Sequence, residues 1–258
     1  MHISNIMINE STPGVLTLPS ASSPTKFPMV LLFHGFSSDK NEVANIYADL
    51  AESLAKINIA TIRIDFPGCG DSSMHLQHVT LSNMEQSIRD TYLYAQSLPN
   101  VAKIGVCGFS FGAALTMLSF ADDPTYCSSA VLLSPVGNLT NDFSEFLGSQ
   151  RFLQAASQPL TEIDLGWKKI KISNNYFKRF NEVDPYQGAI KYKNPLLIIA
   201  GSLDFSAKNA RMYNSSSLSA NKQLVIYEGH DHILNLFDPD KKSSLIDKIV
   251  SWFLQTLN

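Results

Sequence analysis

A serine in a glycine-flanked turn, and carboxylates and histidines just beyond apolar runs, are the residues of this chain best suited to chemistry. Ser110 lies in Gly108-Phe109-Ser110-Phe111-Gly112, between the apolar run Val101–Cys107 and the helix-forming Ala113-Ala-Leu-Thr-Met-Leu118. Strand, G-x-S-x-G, helix is the order that a nucleophile on a tight turn requires. Small flanking residues let the backbone segments approach, and the helix N-terminus turns its free N–H groups and positive dipole end toward developing negative charge. A serine also needs a neutral imidazole to take its proton, and the imidazole needs a carboxylate to fix its tautomer. Asp204 ends Gly201-Ser-Leu-Asp204, directly after the apolar Leu196-Leu-Ile-Ile-Ala200. Further on, Gln223-Leu-Val-Ile-Tyr227 leads into Glu228-Gly-His-Asp-His232, so His230 and His232 compete for the role of base. A turn or helix-cap carboxylate is the competing reading of Asp204.

These groups can meet only if the runs before them are strands that end on one side of a sheet. Met29–Phe33, Ile59–Ile64, Val101–Cys107, Ala130–Leu133, Leu196–Ala200 and Gln223–Tyr227 read as strands, several of them apolar throughout, as buried parallel strands are. Ile3–Ile8 and Val15–Leu18 suit an antiparallel hairpin at one edge. Helical spacing links Val43, Tyr47, Leu50, Leu54 and Ile57, then Met84, Ile88, Tyr92 and Ala95 behind a capping box from Ser82 to Glu85, and finally Leu245, Ile249, Trp252 and Phe253. The expected fold is α/β, a mostly parallel sheet flanked by helices within one domain over 1–258. Residues 138–184 break the alternation: no strand is evident, but Phe143, Phe146, Phe152, Trp167, Tyr176, Phe177 and Phe180 crowd the segment. It is expected to be an inserted helical cap over the strand ends, its aromatics mostly core.

The series His34-Gly-Phe36, Arg63-Ile-Asp65-Phe-Pro-Gly68-Cys-Gly70-Asp-Ser72, the Ser110 turn, Gly201–Asp204 and Gly229–His232 resembles the α/β-hydrolase superfamily over essentially the whole chain. Within it, the chain looks most like the small cinnamoyl and feruloyl esterases. The resemblance implies an α/β-hydrolase fold and a triad in the chain order Ser110, Asp204, His232. It favours His232 over His230, because His232 stands three residues after Gly229 and directly before Ile233-Leu234. It also implies an oxyanion hole formed by the backbone N–H groups of Phe36 and Phe111. His34 and Asp65 then take structural roles. Two departures stand out: Cys69 occupies a place where relatives often carry histidine, and Phe205-Ser-Ala-Lys-Asn follows Asp204.

Composition removes other classes. The 258 residues are 45% hydrophobic and 17% charged, with a net charge of −3 that offers nothing to nucleic acid. Three cysteines, Cys69, Cys107 and Cys127, without C-x-x-C spacing argue against a disulfide framework or a zinc site. His75 and His78 lack a third ligand at matching spacing, and Gly68-Cys-Gly70 is a turn, not a dinucleotide site. No metal or cofactor is expected. No apolar run approaches the roughly 20 residues that span a bilayer, and Met1–Ser11 lacks the form of a secretory signal, so a cytoplasmic chain is expected. The partner is then a small-molecule ester, cleaved by a serine carboxylesterase acting on small, apolar or aromatic acyl groups. A lipase-like or aminopeptidase-like hydrolase with the same triad, and a ligand-binding protein without turnover, are the rival readings.

Overall fold

The apolar runs become strands. β1 (His2–Ile8) and β2 (Thr12–Leu18) form the edge hairpin, followed by β3 (Phe27–Phe33), α1 (Ile46–Lys56), β4 (Ala60–Ile64), α2 (Leu81–Ser97), β5 (Val101–Phe109), α3 (Phe111–Asp122) and β6 (Ser129–Leu133). The segment after β6 supplies α4 (Leu139–Leu147), α5 (Ser149–Ser157), β7 (Thr161–Asp164) and β8 (Lys169–Ile172). The chain returns through α6 (Tyr186–Lys191), β9 (Leu196–Gly201), α7 (Ser206–Ser216), β10 (Lys222–Tyr227) and α8 (Pro239–Leu257). These elements come from a computed structural model that describes residues 1–20 and 26–257.

The main sheet has eight strands in the order β1-β2-β4-β3-β5-β6-β9-β10. Every pairing from β4 to β10 is parallel, and the antiparallel β1–β2 hairpin joins at β4. Parallel strands need crossovers, and the helices that make them cover both faces. On one face α2 and α3 pack with Leu31, Ile62, Val106, Leu132 and Ile198; on the other α1 and α8 pack with Val30, Leu32, Cys107, Val131 and Leu197. Alternate residues of one strand thus enter opposite cores, the period of two expected of extended backbone. α3 is buried from Phe111 to Phe120, as a helix apolar on every side must be.

The inserted segment is not purely helical. β7 and β8 form an antiparallel hairpin in register Thr161↔Ile172 to Asp164↔Lys169. Its pattern alternates: Thr161, Ile163, Ile170 and Ile172 are buried, while Glu162, Asp164, Lys169 and Lys171 face out. Four-residue strands carrying so many charges lack the apolar run that marks the main sheet, so no strand is evident there from the sequence.

The start of α2 also differs from expectation. Its capping box is Thr80 with Asn83, not Ser82 with Glu85, because the helix begins two residues earlier to bury Leu81. Ser82 and Glu85 instead receive Arg179 of the inserted segment, whose Nη1 donates to Ser82 Oγ at 2.9 Å and Glu85 Oε2 at 2.6 Å.

Candidate active site

The turn between β5 and α3 forces Ser110 into φ 52°, ψ −114°, outside ordinary helical or extended backbone. Such a turn closes only if its neighbours are bare. A β-carbon on Gly112 would collide with the carbonyl oxygens of Phe33 and His34, and one on Gly108 would lie 2.7 Å from Ala113 Cα. The two glycines of the motif therefore let α3 start against the ends of β3 and β5. Ser110 N–H donates to Leu133 O at 2.8 Å, which ties the turn to β6.

His232 reaches the serine from the loop after β10. Asp231 and Asn235 close that loop reciprocally, Asp231 N–H to Asn235 Oδ1 at 3.0 Å and Asn235 N–H to Asp231 Oδ1 at 2.9 Å. His232 Nε2 lies 2.9 Å from Ser110 Oγ, and its Nδ1 lies 2.8 Å from Asp204 Oδ2. Phe205 stacks on the imidazole at 5.1 Å, and Phe109 meets its edge at 6.1 Å. Asp204 follows β9 and precedes α7, where Ser206 N–H donates to its Oδ2 at 3.0 Å. Burial pushes the Asp204 carboxyl up, but the bond and charge of His232 and the Ser206 contacts outweigh it and hold the group below the usual carboxylate range. His230 faces elsewhere: its Nδ1 bonds Glu228 O at 3.0 Å and its ring lies beside Tyr227.

The turn after β3 lies on the other side of the serine. His34 is fully buried, and burial lowers its pKa, so a neutral ring suits the site. Its Nε2 accepts the Phe66 N–H at 3.0 Å, which leaves Nδ1 to donate to Gly35 O at 2.7 Å. Gly35 C=O and Phe36 N–H belong to one planar trans peptide and point in opposite directions. Holding the carbonyl therefore aims the Phe36 N–H. Phe111 opens α3, where the first N–H groups have no acceptor within the helix. Phe36, Ser110 and Phe111 line one cavity of about 880 Å³.

Asp65 anchors this turn. It is fully buried and accepts Lys40 N–H and Lys40 Nζ at 2.7 Å each and Asp71 N–H at 2.9 Å. Of the aromatics in 138–184, Phe143, Phe152, Tyr176, Phe177 and Phe180 are buried in the core shared with α3. Phe143, Phe146 and Trp167 line the cavity, and the last two are partly exposed.

Several residues of the site carry no sequence signal. Asp142, in the first turn of α4, is buried against the cavity and accepts Gly137 N–H and Asn209 Nδ2, both at 2.7 Å. Burial pushes its carboxyl up, against these two donors and Lys208. Asn209 also donates to Pro135 O at 3.2 Å, and Tyr213 Oη donates to Val136 O at 2.7 Å, so α7 shapes the loop after β6. Among the described residues no group of three or more His, Cys, Asp or Glu is placed to hold a metal ion. The His75 and His78 rings stand 6.5 Å apart, and all three cysteines are free and buried.

A serine on the strand-to-helix turn of a mostly parallel eight-stranded sheet defines a serine hydrolase of the α/β-hydrolase fold. A family model described as serine aminopeptidase, S33 matches residues 25–187, and the chain belongs to that family. Monoglyceride lipase from Mus musculus is 26% identical over 263 residues, covering 89% of this chain and 84% of the relative. The monoglyceride lipase homolog of Monkeypox virus is 22% identical over 256 residues, covering 89% and 91%. Among solved structures, Est1E from Butyrivibrio proteoclasticus with ferulic acid bound superposes with a TM-score of 0.82 at 22% identity, covering 98% of this chain and 99% of that one. The mouse α/β hydrolase domain-containing protein 10 gives 0.75 at 14% identity over the full length of both.

Proposed function

We propose that this protein is a serine carboxylesterase that cleaves esters of small, apolar or aromatic acyl groups, including cinnamoyl and feruloyl types, through an acyl-enzyme. The observation that carries the reading is the unbroken chain Ser110 Oγ, His232, Asp204, with links of 2.9 and 2.8 Å, facing an aromatic cavity. Ser110 Oγ attacks the ester carbonyl while His232 Nε2 takes its proton. Asp204 holds the imidazole in the Nδ1–H tautomer and stabilises the imidazolium. The Phe36 and Phe111 N–H groups receive the oxyanion, where removal of one such donor typically costs about 10²–10³ in kcat. Collapse passes the proton from His232 to the leaving alcohol; water then repeats the sequence on the acyl-enzyme and releases the acid. No cofactor enters these steps.

The inserted segment 138–184 acts in this reading as a cap that selects the acyl group through Phe143, Phe146 and Trp167. Among the described residues no helix is long and apolar enough to cross a membrane.

A panel of 4-nitrophenyl acetate, butyrate and octanoate with methyl ferulate, run beside Ser110→Ala and a fluorophosphonate probe, tests the proposal. Turnover and labelling that both vanish in Ser110→Ala support it; turnover that persists there overturns the mechanism. The relatedness to monoglyceride lipases over most of the chain supports a second reading, a lipase acting on monoacylglycerols. A higher kcat/KM on 2-monoacylglycerols than on any member of the panel would select it.

A further inference from the structure

Glu42 is nearly buried beside the cavity, and nothing in the mechanism above uses it. Its Oε2 accepts Gly35 N–H at 2.5 Å, and its Oε1 accepts Ser38 Oγ–H and Val43 N–H, each at 2.8 Å. A β-carbon placed on Gly35 would lie 3.3 Å from Ser110 Cβ and 3.4 Å from Glu42 Oε2. Gly35 thus lies close to both the serine and the Glu42 carboxylate. The chain reaches this arrangement through uncomfortable backbone: Ser37, Glu42, Ala44 and Asn45 all have φ between 52° and 59°, the left-handed region that residues with a β-carbon rarely enter. Strain gathered in one short loop persists only where surrounding contacts over-determine it, and such loops cluster at functional sites.

We infer that Glu42 is a positioning residue of the oxyanion hole, setting through Gly35 the direction of the Phe36 N–H; this rests on the reading of the site proposed above. Two adjacent peptides are clamped. Glu42 holds the N–H of the peptide joining His34 to Gly35, and His34 holds the carbonyl of the peptide joining Gly35 to Phe36. With both ends of Gly35 fixed, its φ and ψ cannot drift, and the Phe36 N–H keeps its aim without reorganising as charge develops. A carboxylate suits this task because three donors converge on it and two oxygens can serve them all. A glutamine offers one acceptor oxygen and turns an N–H₂ group toward donors, so the backbone N–H of either Gly35 or Val43 loses its acceptor. A bland alternative is that Glu42 merely caps the short helical turn beginning at Val43.

Kinetics separate the two. The oxyanion forms only after attack, so a misaimed donor lowers kcat and the affinity for a tetrahedral adduct while leaving KM nearly unchanged. The measurements use the full chain, 4-nitrophenyl butyrate as substrate and 2-phenylethylboronic acid as the reversible adduct-former, with active sites counted by exhaustive fluorophosphonate labelling. Glu42→Gln is expected to lower kcat roughly tenfold or more and to raise the boronate Ki by a similar factor, with KM within about twofold and the pH profile unmoved. Ser38→Ala, which frees one side of the carboxylate, is expected to give the same paired losses at smaller size, and decides the matter if Glu42→Gln does not fold. A lower Tm with kcat and Ki per active site as in wild type means a turn cap, and overturns the inference. A fall in kcat without loss of boronate affinity overturns it as well. Turnover that survives Ser110→Ala would instead overturn the reading of the site itself, and this inference with it.

Discussion

The sheet and the inserted segment place their cavity residues by different means. Ser110, Asp204 and His232 stand just past β5, β9 and β10, on loops tied by backbone bonds: Ser110 N–H to Leu133 O at 2.8 Å, Ser202 N–H to Tyr227 O at 2.9 Å, Leu203 N–H to His230 O at 3.0 Å. Phe143, Phe146 and Trp167 are placed by rings packed on rings, Phe36 on Phe143 at 5.0 Å, Phe143 on Phe180 at 5.0 Å, Phe146 on Trp167 at 6.3 Å. Hydrogen-bonded loops at strand ends fix atoms to the tolerance that proton transfer needs. Ring packing fixes a wall, which can exchange one shape for another at modest cost. The division is not a clean one, because Tyr176, Phe177 and Phe180 share a core with α3, so the segment lines the cavity and also completes the scaffold.

The contrast breaks most sharply at the serine and the histidine. Ser110→Ala and His232→Ala are each expected to lower kcat by on the order of 10³ or more for every ester, small or large, with Tm little changed. The double variant is expected to be scarcely worse than either single one, since the groups act as a unit. His230→Ala serves as the control, and a large loss there with none in His232→Ala would reverse the assignment of the base.

On the side of the inserted segment, Phe146→Ala and Trp167→Ala test the wall without opening the core, because both are exposed at 39% and 67%. Feruloyl and octanoyl esters are expected to lose about tenfold or more in kcat/KM, since remote apolar contacts position them, and acetyl esters less than about twofold. Equal losses for all esters would mean that these rings support the scaffold and do not select substrate.

A pH profile sharpens the same division. The contacts that hold the Asp204 carboxyl below its usual range keep it ionised throughout an assay above about pH 5. An acid limb above that pH then reports a group other than Asp204, and the base of the proposed mechanism must be neutral to take the serine proton. The logarithm of kcat/KM is expected to rise with unit slope as pH increases along that limb, up to about tenfold per pH unit. In the proposed mechanism the proton acceptor sits on the scaffold, so acetyl and feruloyl esters are expected to share one midpoint, and Trp167→Ala to leave it unmoved. EDTA is expected to have no effect; inactivation that zinc reverses would overturn the metal-free mechanism.

How much of this was legible in the sequence follows the same line. Parallel strands buried on both faces write themselves as apolar runs, so β3, β5, β6 and β9 were visible, as was the glycine-flanked turn between β5 and α3. The hairpin β7–β8 was not, because half of its residues are charged and only a period of two over four residues marks it. α7, with its largely polar Ser206-Ala-Lys-Asn-Ala-Arg start, also gave little periodic signal. Glu42, Asp142 and Asn209 act through partners brought together by the fold, the last two 67 positions apart, and no local pattern distinguishes them from solvated polar residues. Ser82 and Glu85 show the opposite error: a spacing that fits a helix cap serves a tertiary contact with Arg179 instead.

That contact gives the smallest expected effect and the finest test of how the two regions are joined. Arg179 reaches α2 from the inserted segment, but its side chain is 40% exposed, so water and salt screen the pair with Glu85. Pairs of this kind contribute about 0.2–1 kcal/mol, which for a chain of this size shifts Tm by at most about 4 °C. Arg179→Gln is therefore expected to lower Tm by no more than this, and the difference from wild type is expected to shrink in 1 M NaCl. Its catalytic effect falls on one side of the comparison only. If the pair steadies the segment over the cavity, KM for feruloyl esters rises about twofold while acetyl ester constants and boronate affinity stay as in wild type. Tyr176, buried beside Met84 of α2 with its Oη 3.5 Å from the sulfur, continues to hold the segment when the ion pair is gone, so a larger loss is not expected. A change that struck both esters equally would show the strand ends and the inserted segment moving together, and the division between a backbone-fixed centre and a ring-packed wall would fail.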